Sequence, residues 1–245
     1  MTQRTAQRKT KEDIVCFFVT DHFNYTMTQG RKAILTISLI LILDQVVKII
    51  VKTNMFLYQD IHVMGDWFIF KFIENNGMAF GINLPGDYGK MILSLFRIAA
   101  GIGLGFYIRH LIRLKSPTGL IISVSMIMAG AFGNVFDSLF YGMIFSESTP
   151  YSLAVLFPDG GGYSSFLHGK VVDIFYFPII KGFYPDWFPV MGGRSFEFFR
   201  PVFNIADSSI TLGVTAILIF QKKFFPPDNE KKSLEKKDDS NQNTE

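Results

Sequence analysis

The sequence contains a single cysteine, Cys16, among 245 residues. One thiol cannot form a disulfide framework, an iron–sulfur cluster or a cysteine-rich zinc site, so these three classes are excluded. Charged residues are also scarce: they make up 18% of the chain, against about 25% in a typical soluble domain. This low charge, together with a hydrophobic share of 49%, excludes a disordered chain and argues against an ordinary soluble protein.

The histidines lack the spacing of a metal site. The chain has four of them, far apart in sequence: His22, His62, His110 and His168. A zinc site would bring its ligands in closely spaced pairs. The spacing therefore indicates no metal site, and we expect the protein to use no cofactor.

Long apolar segments are the main positive feature of the sequence. A helix needs roughly 20 mostly apolar residues to cross a bilayer, and four segments approach that length: 33–51, 91–108, 120–141 and 203–220. A buried helix of a soluble bundle would carry a polar stripe, which is almost absent from ILTISLILIL and IISVSMIMAGAFG. We therefore predict an α-helical integral membrane protein with four transmembrane helices.

The basic residues are concentrated in three segments that flank these helices. They lie before the first helix, in the loop 109–119 between the second and third, and after the fourth. Because basic residues near span ends stay in the cytoplasm, both termini are predicted to be cytoplasmic and the segments 52–90 and 142–202 extracytoplasmic. The net charge of +3 is thus explained by topology, and a nucleic-acid partner is not expected.

The first outer segment contains a strand pattern. Residues 66–73, DWFIFKFI, are aromatic and β-branched, and the turn signal ENNG follows at 74–77. This pattern predicts a β-hairpin or a small sheet at the extracytoplasmic membrane surface.

Several polar residues lie within the apolar segments, where ionisable groups are costly and are functional candidates by default. In the first segment Asp44 and Lys48 are four residues apart, so that they share a helix face and can pair. A polar stripe in the third segment consists of Gly130, Asn134, Asp137 and Tyr141. Both groups are also consistent with a purely structural role in which they hold neighbouring helices together.

Two further acids are predicted to lie on the same side of the membrane at a similar depth. Asp173 has apolar neighbours in KVVDIFYF, and Asp207 begins the fourth segment in FNIADSSI. Paired carboxylates can share one proton, so that one activates water and the other protonates the substrate. The helix dipole would favour the anion of Asp207, and burial the neutral form of Asp173. Alone, Asp207 would be explained as a helix-capping residue after Asn204, and Asp173 as a turn acid.

Five short motifs occur in order along the chain: DQVVK at 44–48, NNGMAFG at 75–81, GNVFD at 133–137, KVVDIF at 170–175 and FNIADSSI at 203–210. Together they resemble the lipoprotein signal peptidases, also called signal peptidase II, which are four-span aspartic peptidases of the bacterial cytoplasmic membrane. The resemblance implies that Asp173 and Asp207 form the catalytic dyad. It also implies substrate-binding or dyad-orienting roles for six residues: Asn75, Asn134, Asp137, Asn204, Asp44 and Lys48.

The resemblance further implies a substrate and a location. The substrate would be a prolipoprotein whose cysteine carries a diacylglyceryl group, cut just before that cysteine. The partners would be such signal peptides and membrane lipid, and the active site would face outward from the bacterial inner membrane. The peptidase domain would be 33–220, between a cytoplasmic segment 1–32 and a polar cytoplasmic tail 221–245.

Three features depart from the family pattern. Ser138 occupies a position that often holds arginine, and three residues are candidates to replace that charge: Arg97, Arg194 and Arg200. Met78 stands where alanine is usual. The stretches 142–168 and 174–202 are long and are expected to be outer-loop insertions.

Three alternatives remain at this point: a small polytopic transporter, a non-catalytic membrane scaffold and a serine peptidase that uses Lys48. A transporter should show internal repeats or helices broken at mid-membrane, whereas no repeat is visible here and the acids are predicted at the outer helix ends. No serine has a recognisable nucleophile setting. Substitution of Asp173 or Asp207 by asparagine would distinguish an enzyme from a scaffold.

Overall fold

The computed structural model describes residues 11–75, 87–198 and 201–226. Its main helices are α1 (Lys11–Asn54), α2 (Asp87–Arg113), α3 (Thr118–Phe136) and α5 (Ile205–Ile219). A π-helical turn, Asp137–Tyr141, joins α3 to the short helix α4 (Gly142–Ile144), and α6 (Gln221–Phe224) follows α5. The strands are β1 (Asp60–Met64), β2 (Phe68–Asn75), β3 (Val171–Tyr176), β4 (Ile180–Phe183), β5 (Ser195–Phe198) and β6 (Val202–Phe203).

The described helices include three that are long and apolar enough to cross a membrane: Tyr25–Asn54, Met91–Arg113 and Thr118–Ile144. The fourth predicted span corresponds to α5, which is apolar but only 15 residues long. The prediction of a helical membrane protein is thus confirmed. The first helix begins well before residue 33, because hydropathy marks only the apolar part of a helix that continues through polar residues.

Helix α3 packs against α1, α2 and α5, and small residues bring α5 close to it. A Cβ atom built on Gly130 would overlap the carbonyl oxygen of Ala206, and one on Gly133 would lie 2.8 Å from Asp44 Oδ2. Both glycines are therefore required for the approach of the neighbouring helices, as small residues are in membrane bundles generally.

Gly130→Ala is expected to lower the free energy of unfolding by about 1–3 kcal/mol, because the new methyl group meets a backbone oxygen that cannot move away alone. Gly103→Ala is the matched control: no atom lies within 4 Å of its Cβ position, so it should be neutral or stabilising by up to about 1 kcal/mol. Thermal unfolding in one detergent measures both. Equal effects of the two substitutions would contradict a tight contact between α3 and α5.

The strands form a four-stranded antiparallel sheet in the order β1-β2-β3-β6 and a separate hairpin of β4 and β5. The predicted small sheet is confirmed, but the predicted turn is partly wrong. Glu74 and Asn75 are the last residues of β2 and pair with Val172 and Val171 of β3. They do so because strand pairing provides hydrogen-bond partners for their main-chain groups. Residues 76 and 77 of the turn signal lie outside the described residues.

A β-bulge in β2 changes which of its last side chains lie on each face of the sheet. Phe70 pairs with Phe175 and Ile73 with Asp173, so three steps along β2 match two along β3. Side chains alternate between faces along a strand, and one extra residue therefore reverses the alternation. As a result Asn75 lies on the same face as Asp173, with Glu74 on the opposite face.

Two separate hydrophobic clusters lie at the two ends of the bundle. One joins the α2–α3 connection to α1 and α6 and includes Ala33, Ile112, Leu120 and Phe224. The other packs the sheet on the end of α1 and includes Val51, Met55, Phe72, Val172 and Tyr141. The sheet thus covers one end of the helix bundle, and the polar site lies where the two meet.

Candidate active site

A buried ion-pair cluster connects α1 with the end of α3. Lys48 Nζ lies 2.8 Å from Asp44 Oδ2 and 2.7 Å from Asp137 Oδ2, and none of the three side chains is more than 1% exposed. Gln45 Nε2 donates to Asp137 Oδ1 at 2.9 Å, and the hydroxyl of Tyr141 donates to Gln45 Oε1 at 3.0 Å. The predicted pairing of Asp44 with Lys48 is confirmed, and two members of the predicted polar stripe, Asp137 and Tyr141, complete the cluster from the π-helical turn that follows α3.

Asn134 joins this cluster to Asp207. Its Oδ1 accepts a hydrogen bond from Lys48 Nζ at 2.9 Å, and its Nδ2 donates to Asp207 Oδ1 at 2.8 Å. Because an ammonium group only donates, Lys48 requires the amide oxygen of Asn134 to face it. The amide nitrogen is thereby directed at the carboxylate of Asp207.

Asn204 connects the two predicted catalytic acids. It is the N-cap of α5: its Oδ1 accepts from the main-chain N–H of Asp207 at 2.9 Å, and Asp207 Oδ2 accepts from the N–H of Asn204 at 3.3 Å. The capping-box geometry inferred from the sequence is therefore confirmed. The Nδ2 of Asn204 also donates to Asp173 Oδ1 at 2.8 Å, so one residue holds both acids.

Asp173 lies in β3 and is 4% exposed. Its second carboxylate oxygen, Oδ2, accepts a hydrogen bond from Nδ2 of Asn75 at the end of β2. Burial raises the pKa of Asp173 to about 8, and the negative charge of Asp207 acts in the same direction. Both effects favour the neutral form of this carboxyl group.

One connected network of ion pairs and hydrogen bonds contains all eight residues predicted from the sequence: Asp44, Lys48, Asn75, Asn134, Asp137, Asp173, Asn204 and Asp207. Sequence reasoning missed Gln45, which contacts Asp137 and Tyr141. It follows Asp44 directly, and a position one residue away on a helix does not share the same face.

Of the two described candidates for the arginine missing at the position of Ser138, Arg97 is the one whose charge acts on the acids. Ser138 is buried and its hydroxyl donates to the carbonyl oxygen of Asn134 at 3.1 Å. Arg97 of α2 is partly buried, and its positive charge acts on Asp207 and Asp173.

The second described candidate, Arg194, is exposed beside β5, in the stretch 174–202, which contains the β4–β5 hairpin. Arg200 lies outside the described residues, as does Met78.

The fold and the site together define a helical membrane protein whose acids, amides and one lysine are gathered between a helix bundle and a small sheet. Comparison with known proteins identifies the family within this class. The family model described as Signal peptidase (SPase) II matches residues 36–223. A lipoprotein signal peptidase of Porphyromonas gingivalis is 49% identical over 195 residues, which cover 79% of this chain and 84% of the relative.

More distant proteins agree with this match. A lipoprotein signal peptidase of Amoebophilus asiaticus is 36% identical over 184 residues, or 74% of this chain and 73% of the relative. A solved bacterial membrane enzyme is 27% identical with a TM-score of 0.50, over 76% of this chain and 90% of that one. The chain therefore belongs to the signal peptidase II family. It is a bacterial multi-pass membrane protease that removes signal peptides from prolipoproteins, as the five sequence motifs indicated.

Proposed function

We propose that this protease is an aspartic endopeptidase in which Asp173 and Asp207 hold one proton between them and activate water. The observation that supports this most directly is Asn204, which accepts from the main chain of Asp207 and donates to the carboxylate of Asp173. Each of the four carboxylate oxygens accepts a hydrogen bond from Asn75, Asn134 or Asn204. Both acids are thereby held in fixed orientations, as general acid–base catalysis requires.

The two acids divide the chemistry according to their surroundings. Asp207 acts as the base, since it lies at the N-terminus of α5, where the helix dipole favours a negative charge. It takes a proton from water as the water oxygen bonds to the carbonyl carbon, while Asp173 gives its proton to the carbonyl oxygen. The resulting gem-diol then returns one hydroxyl proton to Asp173, the C–N bond breaks, and the leaving nitrogen takes the proton from Asp207. Each turnover therefore restores the starting protonation state.

Arg97 supplies positive charge that Ser138 cannot provide. Its attraction to Asp207 and Asp173 offsets negative charge at the dyad, and its guanidinium can donate to main-chain carbonyl groups of a bound peptide. Asp44, Lys48 and Asp137 act further from the reaction, since they orient Asn134 and through it Asp207.

The chain crosses the membrane four times, with 33–220 as the peptidase domain and the segments 1–32 and 221–245 in the cytoplasm. The hydrophobic cluster of Ala33, Ile112, Leu120 and Phe224 supports this topology, since it brings the three basic segments to one end of the bundle. Basic residues stay in the cytoplasm, so the sheet and the dyad lie at the outer face.

The substrate is a prolipoprotein with a diacylglyceryl-modified cysteine, cut before that cysteine, and membrane lipid surrounds the complex. An aromatic layer on the sheet face that carries Asp173 supports this substrate. The rings of Phe68 and Phe177 stack with centroids 4.7 Å apart, and those of Phe70 and Phe175 lie 5.8 Å apart. Such a layer binds acyl chains and apolar residues at the level of the lipid headgroups.

An apolar groove of about 480 Å³ between α1, α2 and α3 supports binding of the apolar signal segment. It is lined chiefly by Leu41, Ile42, Gln45, Ile98, Phe132 and Phe136. Gln45 also donates to Asp137, so the groove adjoins the network that holds the dyad.

Cleavage of a diacylglyceryl-modified precursor by the purified protein tests this function. The modified precursor should be converted to a faster-migrating product, whereas the same precursor without the lipid should remain uncut. A small polytopic transporter or a non-catalytic scaffold would leave both precursors intact, and equal cleavage of the two would contradict recognition of the lipid.

The pH dependence of kcat/KM is expected to show a fall as pH rises through about 8. The pKa of Asp173 is raised to about 8, so the group carries its proton below this pH and loses it above. Once both acids are ionised, no general acid remains to protonate the carbonyl oxygen. Initial rates at low precursor concentration between pH 5 and pH 10 measure the profile, and a flat profile up to pH 10 would contradict the assignment of Asp173 as the acid.

A further inference from the structure

A second polar cluster lies beside the dyad, at the end of α1 nearest the sheet. Lys52, whose side chain is fully buried, donates to Glu74 Oε1 and to Ser148 Oγ, the latter at 2.8 Å. The hydroxyl of Ser148 in turn donates to Glu74 Oε1 at 2.8 Å. A buried ion pair requires such additional hydrogen bonds, since desolvation otherwise exceeds the attraction.

Glu74 also faces a second lysine. Its Oε2 is buried and has no hydrogen-bond partner among the described residues, but lies 3.6 Å from Nζ of Lys170. Lys170 directly precedes β3, and its Nζ lies 3.5 Å from Glu147. The ring centroid of Tyr163 lies 5.0 Å from Nζ of Lys52 and 5.3 Å from Nζ of Lys170. Three separate parts of the chain therefore converge on one carboxylate.

The position of Glu74 in the strand connects this cluster with the dyad. Glu74 pairs with Val172 and Asn75 with Val171, and successive residues of a strand point to opposite faces. Glu74 thus faces the core, whereas Asn75 faces Asp173 and donates to its carboxylate. The bulge between Phe70 and Ile73 produces this arrangement.

We propose that Glu74 is a positioning residue for cleavage: held by Lys52, Ser148 and Lys170, it fixes the end of β2 so that the amide of Asn75 stays on Asp173. This inference rests on the proposed dyad. It assigns a role to part of the stretch 142–168 as well, since Ser148 and Tyr163 close the cluster around Glu74. The contacts of Glu74 in the described part of the chain are with Lys52, Ser148 and Lys170 and not with either dyad acid, so that it acts through Asn75.

Glu74→Gln is expected to lower kcat for the diacylglyceryl-modified precursor by about 10- to 100-fold, because small displacements of an orienting group are costly in catalysis. KM should stay within about twofold, since no group that binds substrate is removed. The matched control is Asp60→Asn on the same sheet: it neutralises an acid whose partner Lys71 lies 3.2 Å away in a partly exposed pair. Its kcat should equal that of the wild type.

A double-mutant cycle with Asn75→Ala separates positioning from general stability. If Glu74 acts through Asn75, the double variant should be no slower than Asn75→Ala alone, whereas independent effects would multiply. Multiplied effects at a temperature where all variants are folded would overturn the proposal. If Glu74→Gln does not fold, Ser148→Ala replaces it in the same cycle, because it removes one hydrogen bond to Glu74 and leaves the ion pair intact.

Asp173→Asn is measured in parallel to distinguish the two claims. If Asp173→Asn cleaves normally, the proposed dyad is wrong. If Asp173→Asn is inactive but the effects of Glu74→Gln and Asn75→Ala multiply, the dyad stands and only the positioning role of Glu74 is overturned.

Discussion

Asp173→Asn and Asp207→Asn should each lower kcat for the diacylglyceryl-modified precursor by about 10²- to 10⁴-fold, the usual contribution of a positioned acid or base. An amide can neither give up a proton to the carbonyl oxygen nor accept one from water. The exchange also disturbs the hydrogen bonds: Asn75 and Asn204 both donate to Asp173, and an amide nitrogen at that position would face one of these donors. Retained thermal unfolding temperatures would show that the loss is catalytic.

The double variant Asp173→Asn/Asp207→Asn should be no slower than the slower single variant, because the two acids act as one unit. Asp186→Asn is the control, since Asp186 is an exposed acid near the β4–β5 hairpin. It should leave kcat unchanged. Losses that multiply in the double variant would indicate that the two carboxylates act independently and not as a dyad.

Lys48→Met should lower the free energy of unfolding by about 3–5 kcal/mol, the usual cost of removing one partner from a buried ion pair. The lysine lies between Asp44 and Asp137, at 2.8 Å and 2.7 Å, with its own side chain fully buried. Its removal leaves two buried carboxylates without a counter-ion. It also releases Asn134, which orients Asp207, so activity should fall together with stability.

Lys71→Met is the matched control for Lys48→Met. Lys71 pairs with Asp60 at 3.2 Å, but the two side chains are 29% and 39% exposed. Such a pair contributes about 0–1 kcal/mol, and its loss should barely change the unfolding curve in detergent. If both lysine variants unfolded alike, the cluster around Lys48 would not be a source of stability.

The helices and the capping of α5 could be predicted from the sequence because their signals are local. A run of apolar residues marks each helix, and Asn204 followed by Asp207 marks a helix start without knowledge of the rest of the fold. The polar stripe that runs from Gly130 to Tyr141 follows from helical periodicity, although its last two members lie in the π-helical turn after α3. These local signals identified Asp44, Lys48, Asn134, Asp137 and Asp207 as candidates, whereas the role of Asn75 followed only from the resemblance to the signal peptidases.

The features that depend on strand register could not be predicted in this way. If the side chains of β2 alternated without interruption from Phe70 onward, Glu74 and not Asn75 would lie on the sheet face that carries Asp173. The bulge that reverses this order depends on pairing with β3, almost a hundred positions later in the chain. Lys52 was missed for a related reason, because its partner Glu74 and the hydroxyl of Ser148 are brought to it only by the folded sheet and loop.

The π-helical turn Asp137–Tyr141 is a further feature that periodicity does not reveal. It directly follows α3 and begins at Asp137, a residue of the candidate site. π-Helical turns are frequent at functional sites. Gly169 packs against the carbonyl oxygen of Asp137, and the N–H of Val172 donates to Asp137 Oδ2 at 3.3 Å. Tertiary contacts therefore accompany the turn, and no local pattern in the sequence specifies it.

The most direct test of the dyad is gel mobility of one diacylglyceryl-modified prolipoprotein incubated with the wild-type protein and with Asp173→Asn. The wild type should convert the precursor completely to the mature, lipid-bearing form, and the folded variant should leave the precursor band unchanged. Conversion by Asp173→Asn at a rate near that of the wild type would contradict it.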